Sequence, residues 1–253
     1  MDLAKALASL AGCKEVAATS QSERLAELVG PAEHLLFALV DGMGEQALGE
    51  ACPHGFLARY RAESLRAVFP STTAAALTSL ATAEWPSRHA VCGWWMHLDG
   101  PGLSITTLPF IDRHSERPLS SFGLRAPDVF PLTSVWARTC RPSATLLKRG
   151  LEDGAFAHYM TGEKPRLGYR SMEEAFSLAL ERVEKTEGPS FTYLYLPHFD
   201  ASCHEAGIDA SLPVLQEIDR RLSHLTEALE GKARVVVSAD HGMVDLSPER
   251  IVI

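Results

Sequence analysis

One stretch constrains the fold more than any other: Leu35-Leu36-Phe37-Ala38-Leu39-Val40, an unbroken apolar run that stops at Asp41-Gly42. Such a run suits a strand buried on both faces, as in a parallel sheet covered by helices. Residues 191–196 and 234–238 repeat the pattern, the second running into Ala239-Asp240-His241-Gly242, and 143–147 and 65–69 read as further strands. Helical patterns over 20–28, 43–51, 171–185 and 212–229 alternate with them. The predicted class is α/β, with a mostly parallel central sheet flanked by helices. Periodicity weakens over 85–131, which reads as loops and small strands, so a loop-rich insertion is expected at about 90–135 of one catalytic domain spanning 1–253.

Composition narrows the function. Of 253 residues, 46% are hydrophobic and 22% charged, which argues against disorder. The net charge of -8 and the lack of a basic run argue against a surface that tracks a nucleic-acid polymer. Five scattered cysteines with no CxxC pair fit a reducing compartment. With neither a signal peptide nor a run of ~20 apolar residues, a cytoplasmic protein without membrane attachment is expected. The last residues, Arg250-Ile251-Val252-Ile253, form an apolar run without a polar tail, and a truncated chain is expected.

Chemistry-bearing residues stand where predicted strands end: Asp41 after the first, Asp200 after 191–196, Asp240 and His241 after 234–238. Open α/β sheets bind ligands at the carboxyl ends of their strands. Asp41-Gly42 and His241-Gly242 are also ordinary turn dipeptides. Asp200 and His204 share one helix face at i and i+4, the spacing of metal ligands and of surface ion pairs alike. Between the first two acidic positions lies Phe69-Pro70-Ser71-Thr72-Thr73, followed by an Ala/Leu run that favours helix. Thr73 falls in the first turn of that helix, where its hydroxyl is either a cap or a nucleophile beside the positive end of the helix dipole. His89 reads as structural. Trp94 and Trp95 read as part of a loop cluster, with base stacking the alternative. Oxygen and nitrogen ligands without thiolates suit zinc, favoured by the imidazoles, or manganese.

These motifs, in this order, resemble the type I phosphodiesterase/nucleotide pyrophosphatase branch of the alkaline phosphatase superfamily. The resemblance rests on Leu39-Val40-Asp41-Gly42, on Phe69 to Thr73 with Thr82 and Trp85-Pro86-Ser87-Arg88-His89 downstream, on Asp200-x-x-x-His204-x-x-Gly207, and on Ala239-Asp240-His241-Gly242-Met243. It implies an alkaline-phosphatase-like fold and two divalent metal ions, usually zinc. Asp41, Thr73, Asp240 and His241 match the ligands of one ion, and Asp200 and His204 match two ligands of the other. It also implies hydrolysis of phosphodiester or nucleotide pyrophosphate bonds through a phospho-threonine on Thr73, with a small phosphate ester as substrate. Two departures accompany it. The family supplies a further histidine to the second ion well after the Asp-His-Gly motif, whereas the sequence ends at Ile253, and Gly93-Trp94-Trp95 stands where diesterases carry a phosphoryl-binding asparagine. An incomplete metal-binding fragment, or a hydrolase of phosphomonoesters, phosphonates or sulfate esters, is the alternative.

Overall fold

The computed structural model describes residues 1–245. The chain opens with α1 (Asp2–Leu10) and α2 (Ser20–Val29), the latter capped by Thr19, whose hydroxyl accepts the Ser22 amide. Then come β1 (His34–Val40), α3 (Glu45–Ala51), the single turn α4 (Phe56–Arg59), α5 (Thr73–Thr82) and the short α6 (Pro86–His89). The insertion holds β2 (Trp95–Leu98), β3 (Leu103–Thr106), β4 (Ile111–Asp112) and α7 (Ala126–Val129). The α/β alternation resumes with β5 (Ser143–Lys148), α8 (Ala155–Thr161), β6 (Arg166–Tyr169), α9 (Met172–Lys185) and β7 (Ser190–Leu196). Last are α10 (His198–Ala206), α11 (Ile208–Ala228) and β8 (Ala233–Ser238).

Five strands form one parallel sheet in the order β6-β5-β7-β1-β8. All seven residues of β1 and of β7 are buried, because helices cover both faces of the sheet. Phe37, Leu39, Tyr193 and Tyr195 pack on one face with α1, α5 and α8. Leu36, Ala38, Leu194 and Leu196 pack on the other with α3, α9 and α11. Each large apolar side chain so buried stabilises the fold by about 1.5–3 kcal/mol. The insertion is a small antiparallel sheet, β2-β3-β4. Among the described residues no helix is long and apolar enough to cross a membrane.

One predicted strand is absent. Residues 65–69 have no regular structure, and the side of β8 away from β1 faces them across a groove of about 970 Å³. Val68 is buried but Phe69 is 88% exposed, so the apolar run there serves only in part as core. The apolar run at the chain's end lies outside the described residues.

Candidate metal and nucleophile site

The register of the parallel strands gathers the chemistry. Val40 pairs with Leu196 and Leu39 with Ser238, so β1, β7 and β8 end together. Asp41 stays in the ladder through its N–H to the Leu196 carbonyl, 3.0 Å. Gly42 then turns the chain with φ +74°, and a Cβ there would lie 3.2 Å from that of Asp200. Gly44 crosses Gly242 so closely that a Cβ on Gly44 would fall 2.7 Å from the Gly242 Cα. Both turns therefore require glycine, one for its backbone conformation and one for its missing side chain.

Asp41, Asp240 and His241 are buried, and a ligand atom from each lies within 4.8 Å of the others. Each carboxylate has one oxygen engaged and one orphaned. Asp41 Oδ2 accepts the Tyr195 hydroxyl at 2.5 Å, while Oδ1 is buried without a partner. Asp240 Oδ1 accepts the amides of Gly42 at 3.1 Å and His241 at 2.9 Å, while Oδ2 is buried without a partner. Both orphans lie 3.4 Å from His241 Nε2. His241 Nδ1 sits 3.0 Å from the Gly242 carbonyl, which can only accept. The ring therefore carries its proton on Nδ1 when neutral and presents the Nε2 lone pair to the orphaned oxygens.

Burial, and then the neighbouring carboxylates of Asp240 and Asp200, push the Asp41 carboxyl up to about 8, against the lowering effects of Tyr195 and His241. Burial also raises Asp240. Without a counter-ion this cluster holds protons that carboxylates normally shed. A divalent cation among two orphaned oxygens and an imidazole lone pair removes both the repulsion and the unsatisfied polarity, so the donor set fits zinc.

Thr73 meets this cluster from α5. Its Oγ1 is 3.0 Å from His241 Nε2. The N-cap is Thr72, whose hydroxyl accepts the Ala75 amide at 3.4 Å. Capping is thus done by Thr72, and the Thr73 hydroxyl is left to meet His241. The first N–H groups of α5 have no acceptor within the helix and point towards the same end.

Asp200 stands on the first turn of α10, against Gly42, with Oδ1 buried and unpartnered. His204 shares its helix face, with Nε2 3.5 Å from Asp200 Oδ2, but its side chain is 71% exposed. The structure brings together Asp41, Thr73, Asp240 and His241, sets Asp200 beside them, and leaves His204 at the surface. His89 is fully buried, its Nε2 2.9 Å from Ser79 Oγ and its Nδ1 accepting the Val91 amide, and burial lowers it to about 4. It ties α6 to α5 as a neutral imidazole. Trp94 and Trp95 are 40% and 56% exposed on the small sheet, with the Arg113 guanidinium 4.2 Å from the Trp95 ring. Sequence reasoning missed Tyr195, whose only signal was a polar tip on an otherwise apolar buried run.

Comparison with known proteins follows the same lines. Among curated proteins no sequence matches. A murine ectonucleotide pyrophosphatase/phosphodiesterase 5, an inactive variant in complex with AMP, superposes with a TM-score of 0.65 at 18% identity, covering 87% of this chain and 60% of that one. The human counterpart gives 0.60 at 18% identity, covering 85% and 59%. A phosphonoacetate hydrolase from Sinorhizobium meliloti 1021, in complex with phosphonoformate, gives 0.52 at 17%, covering 84% and 57%. The chain thus spans about 60% of the length of these solved relatives, and at such identity the likeness shows the fold. The model of the type I phosphodiesterase/nucleotide pyrophosphatase family matches residues 36–253, and the chain belongs to that family.

Proposed function

We propose that the protein hydrolyses phosphate esters, with phosphodiesters and nucleotide pyrophosphates as the preferred class and Thr73 as the nucleophile. The observation that carries this reading is the division of labour at the start of α5. Thr72 caps the helix, which leaves the Thr73 hydroxyl to meet His241 Nε2 at 3.0 Å. Asp41, Asp240, His241 and the Thr73 hydroxyl would hold one divalent ion, and Asp200 with His204 would contribute to a second. When bound, such ions supply Lewis-acid stabilisation of phosphoryl oxygens and lower the pKa of a coordinated hydroxyl.

The rest of the chemistry belongs to the chain. The Nδ1–H contact to the Gly242 carbonyl fixes the imidazole so that its Nε2 lone pair faces the Asp41 and Asp240 oxygens and the Thr73 hydroxyl, where it would serve as a ligand. The amides at the start of α5 stabilise charge on the phosphoryl oxygens as Thr73 Oγ1 bonds to phosphorus. The Thr73 hydroxyl proton passes to water as Oγ1 bonds to phosphorus, and the ester oxygen opposite Oγ1 departs in line and takes a proton back from water. Water then attacks the phosphothreonine, releases phosphate or its monoester and restores the Thr73 hydroxyl.

The test is Thr73→Ala on a chromogenic phosphodiester, with metal content measured in parallel. Turnover should fall by about three orders of magnitude or more with metal largely retained, and Thr73→Ser should recover part of it. Wild-type turnover by the alanine variant would overturn the assignment.

A further inference from the structure

The carboxyl edge of the sheet divides by charge. The ends of β8, β1 and β7 carry Asp240, His241, Asp41 and Asp200, whereas β5 and β6 end in Lys148-Arg149 and Arg170. These three cations are exposed in a protein of net charge -8. None of the ion pairs among the described residues involves them. Two nearby acids are engaged by backbone amides: Glu152 accepts that of Gly150 at 2.5 Å, and Glu174 that of Arg170 at 2.6 Å. A cluster of cations left without carboxylate partners next to a phosphoryl-transfer site calls for an explanation.

Register places the cluster. Leu146 pairs with Leu194 and Lys148 with Tyr169, so β5 ends level with Leu196 and Val40. Arg149 is the next residue, level with Asp41, and its N–H to the Tyr169 carbonyl at 2.7 Å keeps it in the ladder. Leu147, Tyr195 and Leu39 all pack on the α5 side of the sheet. Two residues on from Leu147 and from Leu39, Arg149 and Asp41 therefore fall on that same side, the side from which Thr73 approaches. One strand, β7, separates them, so at ~4.8 Å per strand the two backbones are about 10 Å apart. That gap suits a phosphoryl group at Thr73 with a second anion a few bonds away. Lys148, of opposite parity, lies near His198, whose pKa it lowers after the larger effect of burial.

We infer that Arg149 forms an anion subsite for a second acidic group of the substrate. This deepens the hydrolase reading and rests on it: the preferred substrates carry a carboxylate or further phosphate beside the scissile phosphoryl group. A guanidinium offers two parallel donors to either group, and such charge-assisted pairs are about twice as strong as neutral ones.

The test is equilibrium binding to the zinc-loaded protein by calorimetry. The probes are methyl phosphate, phosphoglycolate and ethylene glycol bisphosphate, with turnover of a plain chromogenic diester followed separately. Wild type should bind the two doubly functional probes about 10–100-fold tighter than methyl phosphate, as one or two charge-assisted hydrogen bonds predict. Arg149→Ala should erase most of that difference while leaving methyl phosphate affinity and diester turnover within about twofold, and Arg149→Lys should restore part of it. The stronger of the two probes identifies the second group as carboxylate or phosphate. Equal binding of all three probes by wild type, or equal loss for all three in Arg149→Ala, overturns the subsite. Discrimination in binding without any turnover of the plain diester leaves the subsite standing and removes the hydrolase reading instead.

Discussion

Tyr195→Phe offers a sharp test of how the site is built. The ring stays where it is, packed on the α5 side of β7, and only the hydroxyl that donates to Asp41 Oδ2 at 2.5 Å is lost. That bond lowers the Asp41 pKa against burial and against the Asp240 and Asp200 charges. A hydrogen bond to an ionised group contributes about 1.5–3 kcal/mol, equivalent to roughly 1–2 pKa units. Without it Asp41 holds its proton to still higher pH, and a metal ion must displace that proton to bind. Zinc affinity at neutral pH should therefore drop about 10–100-fold, the range known for outer-shell partners of metal ligands. Competition against a chromogenic chelator from pH 6 to 9 measures it. The deficit should shrink as pH rises through the Asp41 titration, because both proteins then present a carboxylate. Wild-type affinity throughout, or a deficit equal at every pH, would refute the electrostatic argument.

Chelator-treated protein should lose stability as pH rises from about 6.5 to 8.5. The folded Asp41 pKa, raised to about 8, lies above its unfolded value, so its contribution is complete at low pH and disappears as pH climbs through the folded pKa. His89, lowered to about 4 by burial, has the opposite slope, but its effect ends near the unfolded value of about 6.5. A melting temperature that rises over this window sinks the prediction, and zinc should flatten the slope with release of about one proton or more. Gly44→Ala should destabilise the protein by about 1–3 kcal/mol and weaken metal binding, since its Cβ would press on the Gly242 Cα beside His241. Gly49→Ala, on α3 with nothing within 4 Å, should instead stabilise it by about 0.5–1 kcal/mol in urea unfolding. Equal effects from the two substitutions would contradict the close crossing.

Much of the central sheet was legible because β1 and β7 are buried on both faces, so their sequences are continuous apolar runs. From the strand ends the positions of Asp41, Asp200 and Asp240 follow, since parallel strands end on one edge. β6 escaped notice because its residues, Arg166-Leu167-Gly168-Tyr169, are mostly half-buried and mix charge with glycine. Residues 65–69 misled for the converse reason: their apolar side chains border a groove and do not enter a ladder, and Phe69 is exposed. Thr73's two possible roles were inseparable in sequence, because Thr72 and Thr73 are adjacent hydroxyls at one helix start. Only the geometry assigns the cap to Thr72. Tyr195 could not be singled out, because its hydroxyl matters only through a carboxylate on the neighbouring strand.

His204 exposes the limit of spacing as a guide, and it separates two classes of metal binding. Helical periodicity correctly places Asp200 and His204 on one face, yet it does not tell which way the face looks. Asp200 turns an orphaned Oδ1 into the interior beside Gly42, whereas His204 is 71% exposed and 3.5 Å from the other oxygen. A second ion held by this pair would gain two protein ligands among the described residues, one of them exposed to solvent, against the buried donors of Asp41, Asp240 and His241 and the half-buried Thr73 hydroxyl at the first site. Calorimetric zinc titration should therefore resolve one tight site and one weaker by about 100-fold or more, since each missing ligand removes several kcal/mol of coordination. Asp240→Asn should abolish the tight phase, because an amide supplies no charge to offset the metal. Asp200→Asn should abolish the weak phase and, by removing one of the charges that raise Asp41, should tighten or leave unchanged the first site. A loss of the tight phase in Asp200→Asn would mean that the two carboxylate clusters form a single site, and the separation drawn from burial would be wrong.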